Sequence, residues 1–175
     1  MITEQDVNTY THDGVFWLEA ADEVEASCST AWQAIELLIL RLIEVGTSAG
    51  TEFALDNHGA GASLVAEGTR IAALATAMGI FKAAALITFD DVEPARRAHC
   101  SVSLLGVPQG EIEFVVEPIR ANACRITYRH GIRGQQGQDT TLGIIETTLT
   151  AGSRQAPEVV EIHNAWAELI LDPRP

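Results

Sequence analysis

The chain has 175 residues, 47% of them apolar, enough for one domain with a packed core and too apolar for a disordered chain. The net charge is −13, and the first 25 residues carry seven acidic side chains and no Lys or Arg; such a surface repels phosphate backbones and argues against nucleic acid as a partner. The longest apolar run, Ala34 to Leu42, is broken by Glu36 and Arg41 and falls far short of the roughly 20 residues that cross a bilayer.

Taken in chain order, residues 1–14 suggest a flexible acidic N-terminus. Val15 to Cys28 has β-type residues at both ends with a turn-like Ala20-Ala21-Asp22-Glu23 between, and the first strand is expected to end near Cys28. Ser29 or Thr30 is placed to cap a helix, since a hydroxyl can accept an orphan N–H of the first turn. Trp32, Ile35, Leu38, Ile39, Leu42 and Ile43 then recur at helical spacing, as one helix or two short ones, and Gly46 is the expected stop. From Thr51 to Gly68 no periodic signal is present, and Asp56-Asn57-His58-Gly59 marks a turn.

Three segments of strand character follow: Thr69–Ala77, Ile80–Asp91 and Ala95–Leu105. Gly106 to Gly110 has the composition of a tight connection. Glu111–Glu117 alternates, with Ile112, Phe114 and Val116 on the buried side. Pro118–Asn122 turns the chain, and Cys124–His130 alternates again. There Cys124, Ile126, Tyr128 and His130 share one face, and Arg125, Thr127 and Arg129 share the other. Gly131–Gly137 has the composition of a polar loop. Thr140–Ala151 fits strand or helix, and Gly152–Pro157 is expected to break it. Glu158–Leu171 is the clearest helix, with Val159, Ile162, His163, Trp166, Leu169 and Ile170 along one face. A run of five or six strands with helices at the ends predicts an α+β fold on an antiparallel sheet.

Other signals are few. Cys28, Cys100 and Cys124 form no CxxC, and with no secretory leader they point to reduced thiols and a cytoplasmic location. Ten of the eleven basic residues are Arg, a weak pointer to a GC-rich bacterial source. His12, His58, His99, His130 and His163 are scattered without ligand spacing, so no metal is expected. No nucleotide or serine-hydrolase motif occurs and no cofactor is expected. The oligomeric state is left open.

Four phrases resemble the START-like, Bet v 1-like (SRPBCC) superfamily, in particular its polyketide cyclase/dehydrase-like branch. They are Val24-Glu25-Ala26-Ser27-Cys28-Ser29-Thr30-Ala31-Trp32, Glu67-Gly68-Thr69-Arg70, Asp91-Val92-Glu93-Pro94-Ala95-Arg96 and Asn122-Ala123-Cys124-Arg125-Ile126-Thr127-Tyr128. The resemblance spans about residues 15–171. It implies a single domain over residues 1–175 with the helix-grip fold, a curved antiparallel sheet wrapped around a long C-terminal helix. It also implies a cavity between sheet and helix for a small hydrophobic or aromatic molecule.

On that expectation Phe81, Phe89, Cys100 and Val102 are wall candidates. His163 and Trp166 would look in from the closing helix, and Tyr128 and His130 from the last strand. Tyr128, His130 and His163 are the candidates for proton transfer. Each of these residues also has a purely structural reading as core or as a strand-end hydrogen-bonding group. Three functions compete: a carrier or sensor that binds the molecule, a cyclase or dehydratase-type enzyme, and a protein-interaction module.

Overall fold

The computed structural model describes residues 1–57, 63–77, 81–133 and 141–173, with the side chains of 76–77, 81–83 and 141–154 outside that description. Eight strands form one antiparallel sheet: β1 (Asn8–His12), β2 (Val15–Val24), β3 (Glu52–Asp56), β4 (Arg70–Ala77), β5 (Phe81–Glu93), β6 (Arg97–Leu104), β7 (Val107–Arg120) and β8 (Ala123–Arg133). Two helices accompany it, α1 (Cys28–Ser48) and α2 (Thr141–Leu171). The sheet order is β1-β2-β8-β7-β6-β5-β4-β3. β2 therefore pairs with the last strand, Leu18 opposite His130 and Ala20 opposite Tyr128. The α+β, helix-grip expectation is met.

Several boundaries differ from those read in the sequence. β2 ends at Val24, and the cap of α1 is Ser27, whose hydroxyl accepts from the Thr30 N–H at 3.2 Å. Ser29 and Thr30 already lie inside the helix, because any of three neighbouring hydroxyls could cap and only Ser27 has extended backbone there. The helix passes through Gly46 to Ser48. β3 falls where no signal was present, since it is short and four of its five residues are exposed.

The Gly106–Gly110 connection shrinks to Leu105-Gly106, and β7 continues to Arg120. Its Pro108 pairs beside a register shift and Pro118 beside another, the irregularities at which a strand tolerates proline. Gly131 is a strand residue, not a loop residue. A Cβ there would lie 2.7 Å from Val15 and 2.9 Å from the Trp17 ring, so glycine provides close packing of β8 under β2.

Nor is α2 broken at Gly152–Pro157; its backbone is helical throughout, with Pro157 inside. Proline lacks one helical N–H, and the packing of the following turns holds the helix together across it. Finally, the N-terminal residues are tied down. β1 pairs with β2, and Asn164 of α2 exchanges two 3.0 Å hydrogen bonds with the backbone of Ile2.

The core lies between the inner sheet face and the helices. α2 buries Val159, His163, Trp166, Leu169 and Ile170, and packs chiefly on β2 and β8. α1 buries Ala31, Ala34, Ile35 and Leu38. The outer face carries an ion ladder across five strands: Glu19, Arg129, Glu113, Arg97 and Asp91, with contacts of 2.5–3.0 Å.

Candidate functional site

Because α2 sits over β2 and β8, the inner face of the middle strands is left partly unfilled. A cavity of about 160 Å³ lies there. The sheet contributes Phe53, Ile71, Ile87, Phe89, Cys100, Ile112, Phe114 and Tyr128; α1 contributes Ile39, Leu42 and Ile43; α2 contributes Ile162. Strand alternation places these sheet side chains on one face. Only Tyr128 and Cys100 among them carry a polar hydrogen. Leu42 is 44% exposed, so the cavity meets the surface beside α1. An apolar chamber with few polar groups is the usual make-up of a small-molecule site.

Tyr128 is 1% exposed, its ring 5.2 Å from that of Phe114. Burial, followed by the charge of Glu158, pushes its phenol far above the ordinary range. The hydroxyl is therefore a neutral donor. Cys100 is similarly held as a thiol by burial and by the charge of Asp90.

The other candidates are placed differently. His130 is on the inner face of β8 but does not bound the cavity; its Nδ1 is buried without a partner, and burial lowers its pKa against the opposing charge of Glu158. His163 is fully buried in the core, away from the cavity wall. Burial holds it neutral despite the charge of Asp22 and the neighbouring Ile126 backbone.

Trp166 is core. Its Nε1–H donates to the Ala31 carbonyl at 2.9 Å, and Phe114 meets it edge-on at 88°. Trp166 and Tyr128 therefore do not share the cavity, and Phe114 lies against both rings. Val102 borders a shallow polar hollow with His99, Ser101 and Glu111. The side chain of Phe81 lies outside the described residues. Of the eight residues proposed from sequence, the cavity brings together Phe89, Cys100 and Tyr128.

Sequence reasoning missed the α1 wall and Phe53. Ile39, Leu42 and Ile43 were legible as a helical apolar face, but nothing in their spacing says which part of that face meets a void. Among the described residues, no group of three His, Cys, Asp or Glu could hold a metal ion, and no helix is long and apolar enough to cross a membrane.

No protein-family model matches the chain, and no curated protein sequence matches it. Solved structures do. Protein Ms6760 from Mycobacterium smegmatis is 14% identical over 96% of this chain and 99% of its own, with a TM-score of 0.56. Truncated norcoclaurine synthase from Thalictrum flavum is 13% identical over 98% and 99%, with a TM-score of 0.55. The same enzyme in complex with dopamine and hydroxybenzaldehyde matches at 0.50. DynU16, from the dynemicin biosynthetic locus, is 17% identical with a TM-score of 0.53; the match covers 91% of this chain and about half (48%) of that one. At these identities the likeness is one of fold.

Proposed function

From the helix-grip fold that this chain shares with Bet v 1-like proteins, we propose that it binds a small hydrophobic or aromatic molecule in the cavity between the middle strands and the helices, as a carrier or sensor. The observation that carries this reading is the apolar chamber itself, with the Tyr128 hydroxyl as a neutral donor at its wall. An apolar body gains by leaving water, roughly 25 cal/mol per Å² of surface buried. A carbonyl, ether or hydroxyl oxygen on that body can accept from Tyr128, which sets its orientation. That a norcoclaurine synthase of the same fold has been seen with two small aromatic compounds supports the size class.

One observation favours a second reading, an enzyme of cyclase or dehydratase type. His130 lies two residues from Tyr128 on the same strand face, with an unpartnered Nδ1, and Glu158 acts electrostatically on both. A phenol and an imidazole so placed could move protons. Against it, the Tyr128 pKa is raised far above neutrality, which makes the phenol a weak acid.

The test is a titration with the apolar fluorophore 1-anilinonaphthalene-8-sulfonate, together with native mass spectrometry for a co-purifying small molecule. Saturable 1:1 binding is expected, and Ile112→Phe, which fills the chamber, should abolish it with the fold retained. Tyr128→Phe should weaken an oxygen-bearing ligand by about 1 kcal/mol, as for a neutral hydrogen bond. A loss of turnover of roughly 10²-fold with binding retained would transfer the assignment to the enzyme reading. Binding unaffected by Ile112→Phe would remove the cavity from the function.

A further inference from the structure

We propose that Phe53 is the gate of this cavity and that ligands pass between the last turns of α1 and the edge strand β3. The inference builds on the ligand-binding reading but stands on its own geometry. Phe53 and Ile43 line the inner cavity and also an open groove formed with Thr47, Gly50, Thr51 and Leu55. The ring of Phe53 thus stands between the apolar chamber and a groove open to water, at the end of α1 where Leu42 is exposed.

Its seat is Gly46. A Cβ at that position would lie 2.7 and 2.8 Å from two carbons of the Phe53 ring, contacts no packed side chain tolerates. Glycine is a poor residue inside a helix, and here its missing side chain is the space the ring occupies.

The walls on the interior strands are harder to move. Phe89, Cys100, Phe114 and Tyr128 belong to β5 to β8, each paired with a strand on both sides. β3 is the sheet edge, five residues long and paired with β4 alone; Phe53 is its one half-buried residue. Displacing Phe53 breaks no interior ladder, so opening here needs less rearrangement than at those strands.

Cys100, on the cavity wall and 1% exposed, reports opening without any ligand. The protein is treated with methyl methanethiosulfonate, and peptide mass spectrometry separates Cys100 from Cys28 and Cys124. Phe53→Ala should speed Cys100 modification at least tenfold. Gly46→Ala should also speed it, by unseating the ring, although alanine favours the helix. Phe16→Ala, half-buried away from the cavity, should speed it only as far as its global unfolding requires. Wild-type rates in both gate variants, or acceleration no greater than in a Phe16→Ala protein of equal stability, would overturn the gate. Fluorophore titration of the wild type is read separately: failure to bind removes the ligand reading, while the thiol rates still decide the gate.

Discussion

Through Phe114, the indole of Trp166 and the phenol of Tyr128 belong to one cluster of rings in edge-on and tilted contact, yet the two residues do different work. Trp166 is fully buried and hydrogen-bonded to the Ala31 carbonyl, which fixes α2 against the first turn of α1. Trp166→Ala should therefore cost roughly 3–5 kcal/mol of stability in urea denaturation, as for a large core aromatic. A loss under about 1.5 kcal/mol would place the indole against open space. Alternation along β8 identified Tyr128 as inward-facing, and helical spacing did the same for Trp166. Which of them meets a void depends on where α2 crosses the sheet, and no local pattern encodes that crossing.

At the scale of elements, α2 illustrates a local signal overruled by packing. Gly152 and Pro157 are breakers, and in isolation they would end a helix. Beyond the proline, Val159, His163, Trp166 and Ile170 are buried against sheet and α1, and that burial outweighs one missing backbone bond. Pro157 itself is exposed. Pro157→Ala should restore the N–H and raise stability by roughly 1–3 kcal/mol, read as a higher thermal midpoint. A lower midpoint would mean that the proline is needed to dock the helix. β3 shows the converse: it has almost no pattern of its own, and pairing with β4 places it.

For the whole molecule, pH is the informative variable. Burial holds His130 and His163 below their ordinary 6.5, so below that pH the unfolded chain takes up protons the native state refuses. Stability present at pH 8 is then progressively lost as pH falls below about 6.5. Glu113 adds a second stage. Burial tends to raise its pKa, but its bonds to Arg97 and Arg129, at 2.5 and 2.6 Å, more than offset this and leave it below 4.5. Its contribution is full above the unfolded value and is lost as pH falls through the lower folded one. Relief of the −13 net charge acts in the opposite direction, but its surface repulsions are screened over about 8 Å in 0.15 M salt. Urea denaturation in that salt should give decreasing stability at pH 8, 5.5 and 4, with His163→Gln flattening the first step. Equal stability at pH 8 and 5.5 would contradict two neutral buried imidazoles.

The sequence by itself determined the class of fold, the antiparallel middle strands, the closing helix and the inward face of β8, because strand alternation and helical spacing are written in neighbouring residues. It also marked Phe89, Cys100 and Tyr128 for the cavity. Only the tertiary structure decided that α2 runs unbroken, that β3 exists, that His163 and Trp166 are core, and that Phe53 seats on Gly46. Each of those depends on contacts between residues distant in the chain, where the space left by one element determines what another can do.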